Sequence, residues 1–186
     1  GILGSVYMEN LFNIEHPRVG LLNNGTEEHK GTPMLVEAHE MLKNTANLNF
    51  VGNVEAKGIM TGDCDVLVTD GFTGNIVLKT IEGLSKFMMK KLKGLFMKNT
   101  LSKLSALLIK KEFTTLKKAF DASEYGGAPF LGISKPVFKA HGGSDARAIK
   151  NALRQAREYI AKDVPAIIDA RITESIAADK VSADKQ

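Results

Sequence analysis

Tryptophan is absent from the 186 residues, and cysteine occurs once, as Cys64. One thiol cannot form a disulfide within this sequence. Such usage fits a reducing compartment, so a cytoplasmic location is expected. Cys64 lies between two acids in GDCDVLV; neighbouring negative charge raises a thiol's pKa and argues against a reactive role. No run of 18 or more apolar residues occurs, so no helix is expected to span a membrane. The nucleotide fingerprints G-x-x-x-x-G-K-[ST] and G-x-G-x-x-G are missing. So is the G-x-S-x-G elbow of covalent acyl-enzymes. The four histidines, at 16, 29, 39 and 141, lack metal-ligand spacing, and neither a metal nor a cofactor is expected. His39 reads as a surface residue or a satisfied core residue. An initiator methionine is also lacking. The opening GILGSVYMENLF is already in helical rhythm through Ile2, Leu3, Val6, Met8, Leu11 and Phe12, and reads as a helix entered partway along a longer chain.

What is present suffices for a packed domain. The apolar share is 44% and the charged share 25%, ordinary values for a globular protein. RVGLLNNG (18–25) predicts a short buried strand, Val19 to Leu22, ending in a turn. TPMLVEAHEMLKN (32–44) predicts a helix with Thr32 as N-cap and Pro33 at the first helical position. LNFVGNVEA (48–56) and CDVLVTD (64–70) predict two further strands, and a helix opens at Gly74. APFLGI and KPVFKAH (128–141) are strand-like. GGSDARAIKNALRQAREYIAKD (142–163) predicts a helix capped by Ser144, and a last helix starts near Asp163 or Pro165. Strands alternating with helices through short glycine-rich loops imply an α/β fold with a mostly parallel sheet. Ligands of such sheets bind beyond the carboxyl ends of the strands.

One segment departs from this pattern. Residues 86–118 hold ten lysines and a single acid, Glu112, a net +9 against +4 for the whole chain, which leaves −5 on the rest. Phe87, Met88, Leu92, Leu95 and Phe96, then Leu101, Leu104, Leu108 and Phe113, recur near helical spacing on either side of KNTLS. The expected organisation is therefore an α/β core over 1–83, a basic amphipathic helical hairpin over 84–120, the core continued over 121–178, and a polar tail over 179–186. The hairpin admits three readings: a solvated lysine face, adsorption to an anionic membrane, or docking of an acidic partner. Its candidate contact residues are Lys90, Lys91, Lys93, Phe96, Lys103, Leu104, Leu108, Lys110 and Lys111. Nucleic acid is not expected, because the lysines come without arginines or a binding motif.

Three loops follow strands and carry little bulk: NNGTEEHKG, DGFTGN and AHGGSDA. Glycine there lets backbone N–H groups approach an anion, and a helix N-terminus adds about half a positive charge. The candidate anion-binding residues are Asn23, Asn24, Gly25 and Thr26; Gly71, Thr73 and Gly74; and Gly142, Gly143 and Ser144. Asn75 and His141 are candidate donors to a bound anion or a developing oxyanion. Asp70 could hold a metal, orient the loop or repel a wrong anion. The plain alternative is that the glycines make tight turns and the polar residues cap helices.

RVGLLNNGTEEHKG, FVGNVEA, DVLVTDGFTGNIVLKTIEG, YGGAPFLGI and AHGGSDARAIKNAL together resemble the phosphate acyltransferase (PlsX) family of bacterial phospholipid synthesis, in order and in register from about residue 5 to residue 160. The resemblance implies a longer protein of which this is roughly the C-terminal half. It implies a three-layer fold similar to that of the isopropylmalate dehydrogenase group and phosphate acetyltransferase, with a protruding basic helical hairpin. The implied reaction moves a long-chain acyl group from acyl carrier protein to inorganic phosphate, in a homodimer that is cytoplasmic or peripherally membrane-bound. Asn75, His141 and Asp70 would then be catalytic. Two departures stand out: Ser134 and Lys135 occupy positions where the family often has glycine, and Gly142-Gly143-Ser144 replaces a frequent Gly-Ser-Ser. The second leaves one hydroxyl fewer. Rival readings are a phosphate acetyl- or butyryltransferase using coenzyme A thioesters, a dehydrogenase of the isopropylmalate type using Asp63, Asp65 and Asp70, and an inactive fragment that binds a membrane or partner.

Overall fold

A computed structural model describes residues 1–120, 122–124 and 126–183. The sequence opens with helix α1 (Ile2–Phe12), then strand β1 (Val19–Asn23), α2 (Pro33–Asn44), β2 (Phe50–Glu55), β3 (Val66–Val68) and the 26-residue α3 (Gly71–Phe96). Helices α4 (Thr100–Leu108) and α5 (Lys110–Ala119) follow. Strands β4 (Gly127–Pro129) and β5 (Phe138–Ala140) lead into α6 (Ala146–Ala161) and α7 (Val164–Ala183). Of the expected polar tail, residues 179–183 lie in α7, and 184–186 are outside the described residues. So is Tyr125 of YGGAPFLGI.

The architecture is α/β. β1 is the central strand of a three-stranded sheet ordered β2-β1-β3, and both pairings are parallel. All five β1 residues are buried, as its unbroken apolar run requires. Register slips between Val19 and Gly20, where Val19 faces Phe50 but Gly20 faces Gly52. The extra residue Val51 is absorbed by Gly52 at φ +92, a left-handed conformation that glycine alone takes without strain. β3 is shorter than CDVLVTD suggests, because its flanks have other work. Asp65 accepts from the Arg18 backbone N–H (2.8 Å) and from its guanidinium (3.0 Å). Asp70 caps α3.

The expectation of a mostly parallel sheet needs correcting at its second half. β4 and β5 form a separate antiparallel pair, with Gly127 opposite Ala140 and Pro129 opposite Phe138. The eight residues between them cannot make a parallel crossover, which takes about a dozen or more. The pair packs on α6. A Cβ on Gly126 (φ +82) would sit 2.2 Å from the Ala148 carbonyl oxygen, so the α6 backbone meets this turn directly.

The main buried cluster joins the two ends of the chain. Val6 of α1, Tyr159 of α6, and Val164 and Ile168 of α7 are enclosed by Leu3, Tyr7, Leu11 and Phe138. Tyr159 meets Phe138 edge to face at 5.5 Å. Arg171 pairs with Glu9 at 3.1 Å beside this cluster. At α3 the pattern reverses, since none of its residues is buried. α3 extends for roughly 39 Å at 1.5 Å per residue, and α4 and α5 fold back on its far end, where Phe96 meets Phe113 edge to face at 5.8 Å. The basic stretch is thus the end of α3 plus two helices. Only Lys98 and Asn99 of KNTLS lie in the turn, since α4 begins at Thr100; Asn99 caps it, accepting from Ser102 N–H (2.8 Å). A second break falls at Ile109, whose backbone (φ −105, ψ 15) leaves the helical region.

Truncating Ile168 to Ala should cost about 2–5 kcal/mol, read by urea unfolding. The Arg18 guanidinium holds the Asp65 carboxyl below its ordinary value. That carboxylate contributes stability present above about pH 4 and lost as pH falls through the lowered folded value. Asp65→Asn should therefore flatten the acid limb of the stability curve below about pH 4; an unchanged limb would contradict the pairing.

Candidate functional site

Parallel pairing decides where the glycine-rich loops go. Leu21 of β1 faces Val68 of β3, so the loops that follow Asn23 and Val68 leave on one edge of the sheet, side by side. This brings 24–31 and 69–75 together at the carboxyl ends, where α/β sheets bind ligands.

The first loop is held from beneath by buried amides. Asn23 is buried; its Nδ2 donates to Lys30 O (3.0 Å) and its Oδ1 accepts from Asn24 N–H (2.8 Å). Asn53 of β2 is buried as well and donates to Glu27 O at 2.7 Å. Its Oδ1 lies 3.0 Å from Nδ1 of His39, which α2 buries to 3% exposure. The other His39 nitrogen is 3.8 Å from Glu28, and Lys43 donates to Glu28 at 2.9 Å. The Lys43 ammonium holds the Glu28 carboxyl below its usual range. Asn23 thus belongs to the scaffold of the loop, and Gly25 is buried within it. Asn24, Thr26, Glu27, Glu28 and His29 are the exposed side chains it presents. His39, read as a surface residue or a satisfied core residue, is the latter, and Asn53 is the support that motif reading passed over. The signal was there: a polar residue inside an apolar strand needs a partner.

The second loop departs from expectation. The helix opens at Gly71 rather than Gly74, and its N-cap is Asp70. Asp70 Oδ1 accepts from the N–H groups of Phe72 and Thr73, both at 2.9 Å. The hydroxyl and N–H of Thr73, with the N–H of Phe72, hold the Asp70 carboxyl below its usual value. A carboxylate already occupies the donors that an anion would take at this helix start. Gly74 packs closely, since a Cβ there would lie 2.7 Å from Thr69 Cγ2. Asn75 is exposed, one turn into α3.

In the third loop, Asp145 rather than Ser144 caps α6, accepting from Ala148 N–H at 2.8 Å. Gly143 N–H donates to His141 Nδ1 (3.0 Å), and Ser144 N–H to His141 O (3.0 Å). With Nδ1 accepting, neutral His141 carries its proton on Nε2 and presents it as an exposed donor. The Glu82 carboxyl of α3 is held low first by Lys79 and, more weakly, by Lys86 and His141. Gly142 and Gly143 are exposed and Ser144 is half-buried.

The three aspartates of the dehydrogenase reading are separately employed: Asp63 accepts from Thr61 (2.7 Å), Asp65 pairs with Arg18, and Asp70 caps α3. Among the described residues, no three His, Cys, Asp or Glu side chains gather as a metal would require. Burial is the main cause that pushes the Cys64 thiol up, ahead of its acidic neighbours. Lys90, Lys91, Lys93, Lys103, Lys110 and Lys111 are exposed, with Leu104 and Leu108; Phe96 is half-buried. Lys91 lies over the Phe87 ring at 5.4 Å. No helix among the described residues is long and apolar enough to cross a membrane.

Residues 1–167 match a family described as fatty acid synthesis protein. Among curated relatives, a phosphate acyltransferase of Oceanobacillus iheyensis is 51% identical over 171 residues, which is 92% of this chain and 51% of that protein. Phosphate acyltransferases of Geobacillus sp. (50% over 163 residues, 88% and 49%) and of Bacillus subtilis (44% over 173 residues, 93% and 52%) are similar in the same way. The chain spans about half the length of the curated relatives it matches.

His39→Leu should leave Asn53 Oδ1 without its partner at a cost of about 1–3 kcal/mol. Hydrogen exchange of the 24–31 amides should speed up, while β3 amides stay protected. Asp70→Asn, which keeps a capping acceptor, should melt close to the parent, and Asp70→Ala should melt lower. Equal melting of the two would remove Asp70 from the cap role.

Proposed function

The chain belongs to the fatty acid synthesis protein family, and from that membership we propose that it is part of an enzyme moving a long-chain acyl group from acyl carrier protein to inorganic phosphate. The product is an acyl phosphate for phospholipid synthesis. The observation that carries this reading is the name phosphate acyltransferase borne by relatives 44–51% identical over about nine-tenths of the chain. The shared edge of β1 and β3 supports it with a place for phosphate, because ligands of such sheets seat at that edge.

The chemistry asks little of a base. Phosphate is an anion at neutral pH. One of its oxygens attacks the thioester carbonyl, the new C–O bond forms and the C–S bond breaks. The proton still carried by phosphate goes to the departing thiolate. What the protein must supply is position and donors for the tetrahedral oxyanion. Asn24, Thr26 and Asn75 would hold phosphate, and Gly71, Gly142 and Gly143 would keep the approach open. His141 Nε2–H, with Ser144, would serve the oxyanion. Asp70 acts by fixing the start of α3, since its carboxylate is turned onto that helix and would repel a second anion placed there.

The finer fold belongs to the same proposal: a three-layer sheet similar to the isopropylmalate dehydrogenase and phosphate acetyltransferase group, completed by residues outside this chain. So do a homodimer, a cytoplasmic location and peripheral attachment to a membrane through the basic helices.

The deciding measurement is phosphate-dependent thiol release from acyl carrier protein thioesters, set beside coenzyme A thioesters. Release from the carrier donor alone supports the proposal; release from coenzyme A alone moves the chain to the acetyl- or butyryltransferase class. Asn75→Ala and His141→Ala should each lower turnover by about tenfold or more. Full activity in both, with folding intact, would refute these assignments.

A further inference from the structure

Between the far end of α3 and the helices α4 and α5 lies an open cavity of about 510 Å³. That falls within the roughly 300–1,000 Å³ of sites that hold small organic ligands. Phe96, Leu107, Ile109 and Phe113 form its apolar walls. Lys93, Lys103 and Lys110 also line it, and no carboxylate does. All three lysines are exposed, and none has an ion-pair partner among the described residues. Leu107 and Ile109 are 66% and 41% exposed, so the open cavity presents hydrocarbon to water, an unfavourable arrangement that a ligand would relieve. Unpaired ammonium groups around such a hollow favour an anion. One ligand chemistry meets both conditions: a hydrocarbon chain ending in a negative head.

We propose that this cavity binds a single long acyl chain bearing a carboxylate or phosphate head, with the chain between α3, α4 and α5 and the head among Lys93, Lys103 and Lys110. The inference rests on the acyl-transfer reading and deepens it, by giving the chain of the anionic product a place on the enzyme. A flat bilayer or a folded acidic protein would cover the lysines but would leave the hollow between the helices unfilled, and this favours one inserted chain.

The test is a fluorescence titration of the full chain with cis-parinarate, a fluorescent long-chain fatty acid, below the concentration at which it forms micelles. Binding should saturate at one per chain. Saturated fatty acids should compete, with affinity rising about fourfold per added methylene. Ala106→Trp, which fills the cavity from α4, should abolish binding. The exposed triple change Lys93→Gln, Lys103→Gln, Lys110→Gln does not threaten folding. It should weaken the acid by about tenfold and leave its uncharged methyl ester unaffected. Parent-like affinity in either variant, no dependence on chain length, or binding seen only when anionic phosphatidylglycerol vesicles are added would overturn the proposal, the last outcome making the helices a membrane-adsorbing face. Thiol release measured on the same samples separates the two readings. Acyl transfer without parinarate binding removes the cavity alone, and parinarate binding without acyl transfer removes the proposed function alone.

Discussion

A central strand that pairs in parallel with both neighbours constrains everything around it. With β2 and β3 running alongside β1 in the same sense, each return path must cross back outside the sheet. The segments that leave the strands therefore emerge at one edge. α2 is one such crossover, and α3 starts at the same edge, directly after β3. The clustering of loop 24–31 with the start of α3 is thus a consequence of strand direction, and needs no attraction between the loops themselves. What the loops must supply is stability at that edge. There the chain uses side-chain amides from below, Asn23 and Asn53, backed by a buried histidine.

The helix starts are solved differently, and this shapes any chemistry at the edge. Both α3 and α6 are capped by an aspartate that precedes them. Such a carboxylate satisfies first-turn donors and neutralises the local helix dipole. Peptide dipoles alone are then a weak attraction for phosphate at these two places. On the proposed function, recognition would fall on exposed neutral donors, the amides of Asn24 and Asn75 and the Nε2–H of His141, which attract an anion without the desolvation cost of a buried cation. Such a site would hold phosphate loosely. Loose binding suits an anion that must remain reactive, because ground-state stabilisation of a nucleophile does nothing for the rate.

Much of this was legible in the residues, for identifiable reasons. The β1 strand, the Thr32-Pro33 helix start and the alternation of strand and helix rest on local patterns, and local patterns survive folding. The start of α3 was read three residues late, at Gly74 rather than Gly71, and capping was misassigned at α6, where Asp145 and Ser144 stand side by side. The chemistry of the two candidates is alike, and only the φ/ψ path of the chain decides which one stands outside the first turn. The antiparallel β4-β5 pair was readable from its short connection, yet the overall α/β rhythm obscured it. The break at Ile109 carries no glycine or proline and could not be read. The buried support of the first loop joins residues far apart in sequence, His39, Asn53 and Glu27, and such pairings emerge only from the fold.

The basic helices pose the opposite problem to the core. A helix with no fully buried residue gains little from packing, and propensity alone is a weak support for 26 residues. Folding α4 and α5 back on its end provides some apolar contact, at Phe96 and Phe113. It still leaves Leu101 at 74% and Leu108 at 82% exposure. Lysines between them keep such a surface dispersed in water, and their mutual repulsion opposes closer packing of the three helices. Concentrating +9 here while the remainder carries −5 therefore does two things at once. It surrounds the open cavity with exposed lysines, and on the inference above it gives that cavity a preference for ligands that bring negative charge with hydrocarbon.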